Sequence, residues 1–92
     1  MPLLTTAEVT EKLAAMPLWN LAGKDIERTI IFEDFPAAIA FVNRVAEAAE
    51  KANHHPDIDV RWNKVRLALS SHDAGGLTNR DFNLAGLIDS LV

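Results

Sequence analysis

Asp57-Ile58-Asp59-Val60-Arg61-Trp62 alternates polar and apolar residues without a break, the period of a half-buried β-strand. The stretch just before it has the other period. Across residues 36–51, Ala38, Phe41, Val42, Val45 and Ala49 form a stripe at helical spacing, while Asn43, Arg44, Glu47 and Glu50 lie elsewhere on the surface. A long helix must therefore hand over to a strand within Asn53-His54-His55-Pro56, and this junction constrains the fold more than any other feature. Asn53 suits a helix exit and Pro56 forbids resumption of the helix. At the other end, Asp34 offers a cap acceptor and Pro36 a preset φ. The small alanines on the stripe imply close approach to a sheet.

The remaining elements fall around this junction. After Asn63-Lys64, Val65, Leu67 and Leu69 line one face of a strand running to Ser71, so Asp57–Ser71 reads as a hairpin. Trp62, closing the first of its strands, is read as core. Upstream, Ile26 to Glu33 is a strand with Ile26, Ile30 and Phe32 on one face, Arg28 the exception, and Glu27, Thr29 and Glu33 on the other. Trp19-Asn20-Leu21 is a brief strand joined to it by Ala22-Gly23-Lys24-Asp25, where Gly23 takes the positive φ of a tight reversal. Thr5-Thr6-Ala7-Glu8 is a capping box for a helix over 6–16 carrying Val9, Leu13 and Met16, with Pro17 ending the pattern. Thr78-Asn79-Arg80-Asp81 caps a last helix whose apolar stripe is Leu84, Leu87, Ile88 and Leu91. The order α-β-β-α-β-β-α predicts an α+β fold, a four-stranded antiparallel sheet with three helices on one face.

No repeat, linker or low-complexity segment divides the chain, and 92 residues predict a single domain spanning 1–92 with a thin core. The hydrophobic fraction of 49% and charged fraction of 24% are ordinary globular values, not those of a disordered or fibrous chain. No apolar run is long enough to span a bilayer, and Met1-Pro2-Leu3-Leu4-Thr5 lacks the basic start and apolar core of a signal peptide. The absence of cysteine removes disulfides and thiolate metal sites and fits a cytoplasmic protein. A net charge of −4 argues against a phosphate-binding surface, so nucleic acid is not expected as a direct partner.

All three histidines, His54, His55 and His72, lie within one short stretch. Histidine gives and takes protons near neutral pH, so their clustering points to proton-transfer chemistry. The pattern Glu50-Lys51-Ala52-Asn53-His54-His55-Pro56, then Trp62, then His72-Asp73-Ala74-Gly75-Gly76-Leu77-Thr78 and Asp81 resembles the pterin-4a-carbinolamine dehydratases. The likeness covers roughly residues 19–92, with its motif at 50–81. Three positions depart from the family's habit: Asn53 where animal members have Asp, Ser71 where Thr is usual, and Asp73 where Glu is common.

The resemblance implies a lyase that dehydrates 4a-hydroxytetrahydropterin to quinonoid dihydropterin and water, in support of tetrahydropterin recycling. The step requires an acid for the departing hydroxyl and a base for the N5 proton, which histidines supply without a metal or organic cofactor. By resemblance, His54 and His72 take the acid and base roles and His55 helps hold the pterin. Glu50, Asp73 and Asp81 orient histidines or accept from pterin N–H groups, and Pro56 and Ser71 join the substrate-binding set. Trp19 is open between core and the apolar wall of a pocket; a flat heteroaromatic ligand favours the wall. Members of the family pair into dimers or tetramers, which the exposed edges of a small sheet also favour.

Blander readings stand beside these. Three imidazoles can bind zinc, but adjacent side chains on extended backbone diverge, so His54 and His55 do not readily share one ion. A single histidine is more often a cap or a loop contact than a catalyst. Gly75-Gly76 before a capped helix lacks the full phosphate-loop pattern and reads as a tight turn. The rival function is a non-catalytic binding module, because animal members also serve as dimerisation partners of a transcription factor and some bacterial relatives as assembly factors.

Overall fold

A computed structural model describes residues 2–92; Met1, where the expectation of no leader begins, lies outside the described residues. Seven elements follow in the expected order: α1 (Thr6–Ala14), β1 (Asn20–Ala22), β2 (Asp25–Ile31), α2 (Phe35–Ala52), β3 (Asp57–Arg61), β4 (Lys64–Leu69) and α3 (Asn79–Leu91). The strands form one antiparallel sheet in the order β1-β2-β4-β3. The two hairpins thus join through a central β2–β4 pair, with Ile26 opposite Leu69 and Ile30 opposite Val65. No helix among the described residues is long and apolar enough to cross a membrane.

Alternation decides which face is covered. Ile26 and Ile30 of β2 and Val65, Leu67 and Leu69 of β4 are buried against Ala38, Phe41, Val45 and Ala49 of α2 and Leu84, Ala85 and Ile88 of α3. The small residues on α2 let the helix lie close to the sheet, as the stripe predicts. Arg28 breaks the apolar face of β2 because it has a partner there. Its Nη1 lies 2.6 Å from Asp89 Oδ1 of α3, and Trp19 Nε1 donates to the same oxygen at 2.8 Å. A half-buried charge is tolerated when it is paired and hydrogen-bonded.

The caps are those the sequence encodes. Thr5 and Glu8 close the capping box of α1, and the Thr5 amide and then its hydroxyl hold the Glu8 carboxyl below its usual range. Asp34 accepts from Ala37 N at the start of α2. Asn53 leaves α2 in the left-handed region at φ 50, and Gly23 turns the β1–β2 hairpin at φ 61.

Two expectations are corrected. β3 ends at Arg61, so Trp62 falls in the two-residue turn with Asn63, at φ 52 and 68% exposed, and is not core. Arg61 pairs with Lys64, which moves the reversal one residue earlier than Asn63-Lys64. On α3, Leu87 is 49% exposed, and Phe82 and Ala85 take the interior instead. Leu87 lies about 100° around the helix from Ile88, on the flank of the stripe. The boundaries of α1 and β1 also shift slightly: α1 stops at Ala14 before Pro17, and β1 starts after Trp19.

Candidate active site

The junction between α2 and β3 places its two histidines in opposite surroundings. His54 is turned inward and is 7% exposed, whereas His55 points out to solvent. The left-handed Asn53 reverses the chain just before them, and Pro56 forces extended backbone just after, so adjacent side chains leave in different directions.

Inside, His54 Nε2 lies 2.6 Å from Asp81 Oδ1. Asp81 is at position N3 of the capping box of α3 and is 0% exposed. Its second oxygen, Oδ2, accepts from Thr78 N at 2.9 Å and from Ser71 Oγ at 3.0 Å. The Ser71 proton is thereby committed, so at the 2.8 Å contact between Ser71 Oγ and Thr78 Oγ1 the threonine donates. Thr78 Oγ1 in turn accepts from Arg80 N. Both oxygens of the buried carboxylate are satisfied, which offsets the penalty of removing it from water. Because Asp81 accepts, His54 Nε2 is the donor. In the neutral ring Nδ1 then carries the lone pair, and it has no hydrogen-bond partner among the described residues.

Outside, His55 Nε2 lies 2.8 Å from Glu50 Oε2, a pair open to solvent on both sides. His72 stands exposed on the loop after β4. All three histidines line one cleft of about 300 Å³, together with Asn53, Ser70, Asp73 and Arg80. That volume is at the lower end of what small-ligand sites offer. Arg80 ties its rim, with Nη2 donating to Asn53 O at 3.1 Å and Nη1 at 3.5 Å from Asp73 Oδ2. A larger groove of about 530 Å³ lies between α2 and α3, but Arg44, Glu47, Lys51, Leu87 and the small residues lining it bring no histidine together. Among the described residues no three His, Asp or Glu side chains form a group that could hold a metal ion.

The expected binding residues separate into those at the cleft and those behind it. Asp73 lines it, Glu50 braces His55, and Asp81 braces His54 from within. Ser71 does not face a ligand: it is 1% exposed, bridges to Gly76 and spends its hydroxyl on Asp81 and Thr78. Ser70 lines the cleft in its place. Strand parity already carried this signal, since Val65, Leu67, Leu69 and Ser71 share the inward face and Ser70 the other. Trp19 is buried, bonded to Asp89, and is not among the residues that line the cleft. Pro56 sits half-buried at the start of β3, where it shapes the junction and is not part of the lining. Arg80 also lines the cleft, a position its place in the Thr78-Asn79-Arg80-Asp81 cap does not signal.

Comparison with known proteins places the chain in a family. The family model described as pterin 4 alpha carbinolamine dehydratase matches residues 2–91, and the chain belongs to that family. A protein of Acidobacterium capsulatum named "putative pterin-4-alpha-carbinolamine dehydratase" is 58% identical over 89 residues, 97% of each chain. One of the same name from Chloroflexus aurantiacus is 58% identical over 92 residues, covering 100% of this chain and 99% of its own. Among solved structures, a transcriptional coactivator/pterin dehydratase from Brucella melitensis superposes with a TM-score of 0.92 at 32% identity, over 96% of both chains. A pterin dehydratase-like protein identified as a RuBisCO assembly factor in the alpha-carboxysome shares the fold, with a TM-score of 0.68 at 22% identity over 79% of this chain and 87% of its own.

Proposed function

We propose that this chain is a hydro-lyase that dehydrates 4a-hydroxytetrahydropterin to quinonoid dihydropterin and water. The observation that carries the reading is the convergence of His54, His55 and His72 on one cleft, with His54 held through Nε2 by the buried Asp81. Loss of the 4a hydroxyl requires a proton on its oxygen, and formation of the C4a=N5 bond releases the proton on N5. His54 and His72 carry these two transfers. His54 works through Nδ1, since Nε2 is anchored, and His72 works from the opposite loop. His55, braced by Glu50, and Asp73 hold the ring through its polar edge. The water formed takes up one proton and the base receives another, so the site returns to its starting state once the two histidines re-equilibrate with solvent. Positioned acid and base groups are typically worth about 10² to 10⁴ in rate each.

No metal or organic cofactor enters this scheme. The enzyme acts in the cytoplasm, supports tetrahydropterin recycling, and works as a dimer or tetramer, because β1 and β3 leave two unpaired sheet edges. The name of the Brucella melitensis protein couples a coactivator role to dehydration, which supports a second reading in which this chain is a binding module for another protein. The test is the ultraviolet absorbance of chemically generated 4a-hydroxytetrahydropterin followed with and without the protein. Decay well above the blank is expected; decay at the blank rate leaves the binding module as the surviving reading.

A further inference from the structure

Arg80 and Asp81 are consecutive residues on the first turn of α3, just after the Thr78 cap, and both reach back to the histidine junction. Asp81 takes the ring of His54. Arg80 takes the backbone, with Nη2 donating at 3.1 Å to the carbonyl of Asn53, the oxygen of the peptide that leads into His54. Asn53 is the left-handed residue that closes α2, so no further helical turn supplies a donor to that oxygen. The His54 side of the cleft is thus gripped at two points by neighbouring residues of one helix.

The other arm of the guanidinium crosses to the facing loop. Arg80 Nη1 lies 3.5 Å from Asp73 Oδ2, an ion pair with the residue that follows His72. Among the described residues this is the only hydrogen bond or ion pair made by a side chain of His72–Gly75. Ala74 N and Gly75 N both donate to Ser71 O, bonds that shape the turn from within. The contact that crosses the cleft from the turn is Arg80 with Asp73. One guanidinium therefore links the residue before His54 to the residue after His72. Its planar fork holds two acceptors at a fixed spacing, which a single ammonium does not. Asp73 is largely exposed and Arg80 about one-third so, and such a pair contributes little to stability; its consequence is geometric. We propose that Arg80 is a positioning residue that sets the separation of His54 and His72 by holding Asn53 and Asp73 on one planar group. This rests on the dehydration reading above and adds to it the residue that keeps the acid and the base in register.

The experiment is steady-state dehydration of 4a-hydroxytetrahydropterin, corrected for the uncatalysed reaction, with thermal unfolding measured on every variant. Small misplacements of catalytic groups cost up to about 10²-fold, so Arg80→Gln should lower kcat by at least about 10-fold and more than it raises KM. Its unfolding midpoint should fall by no more than about 8 °C. Arg80→Lys keeps the charge but not the fork, and should stay slow. Asp73→Ala, on an exposed loop, should lower kcat by about 3-fold, and the double variant Arg80→Gln/Asp73→Ala should be no slower than Arg80→Gln alone, because both changes remove one tie. An unchanged kcat in Arg80→Gln, full recovery in Arg80→Lys, or losses that multiply in the double variant would overturn the positioning role and leave the dehydration reading standing. If Arg80→Gln does not fold, Asp73→Ala decides, and an unchanged kcat there overturns the role. Decay at the blank rate with the wild-type protein would overturn the dehydration reading and the positioning role together.

Discussion

Asp81, buried at the first turn of α3, holds the imidazole of His54 at 2.6 Å across 27 residues of sequence. The contact joins the exit of α2 to the start of α3, so the site and the fold share one hydrogen-bonded centre. Removing Asp81 has two separable consequences. Asp81→Ala leaves Ser71 Oγ, Thr78 N and His54 Nε2 without their acceptor, and breaking a buried pair of this kind costs about 3–5 kcal/mol. Chemical denaturation should show that loss. Asp81→Asn keeps the volume and part of the network, so the protein should stay folded while the amide allows His54 the other tautomer, and dehydration should slow by at least about 10²-fold. An Asp81→Asn variant with full activity would show that the anchor is structural only.

Asn53 tests whether the corner itself aims the histidines. Its φ of 50 is comfortable for Gly and Asn and strained for a β-branched residue. Asn53→Gly should retain stability to within about 1 kcal/mol. Asn53→Ile should lose about 1–3 kcal/mol, with a fall in dehydration rate beyond what the unfolded fraction explains. Equal stability of the two variants by thermal unfolding would mean that the corner relaxes freely.

The architecture could be read from sequence where the local signal and the tertiary environment agree. The α2 stripe, the cap residues Thr5, Asp34, Asn53 and Thr78, and the alternation of β2 and β4 all specify one face or one terminus, and the fold uses each of them as written. Trp62 escaped because alternation states which face a residue would take if the strand continued, not where the strand stops. Leu87 escaped because a helix with apolar residues on its flank has no unique inward line until its neighbour is known. At the site, the histidines were visible as a cluster, but the partition into an inward His54 and an outward His55 depends on the left-handed Asn53. The pairing of Ser71 with Asp81 is a contact between elements that local spacing does not show.

The free edges predict association into at least a dimer. β1 and β3 border the sheet with unpaired backbone groups, and a 92-residue core gains from pairing. Light scattering at micromolar protein should give a mass of at least two chains. A mass of one chain throughout that range would contradict this.

The divergence of His54 towards Asp81 and His55 towards Glu50 predicts a reaction that needs no metal. Protein treated with a strong chelator and then freed of it should dehydrate the carbinolamine at its original rate. Activity lost on chelation and restored by zinc would mean that the histidines act as ligands.

The most direct test of the central claim is the dehydration rate of 4a-hydroxytetrahydropterin with His54→Ala, His72→Ala and His55→Ala, each corrected for the uncatalysed reaction and each checked for folding by circular dichroism. Acid and base roles predict that His54→Ala and His72→Ala each fall by about 10² to 10⁴-fold at saturating substrate. His55→Ala should mainly raise KM, and the exposed His55 and His72 should cost little stability, about 0.5 kcal/mol. Near wild-type rates in both His54→Ala and His72→Ala, with both proteins folded, would contradict proton transfer by these residues.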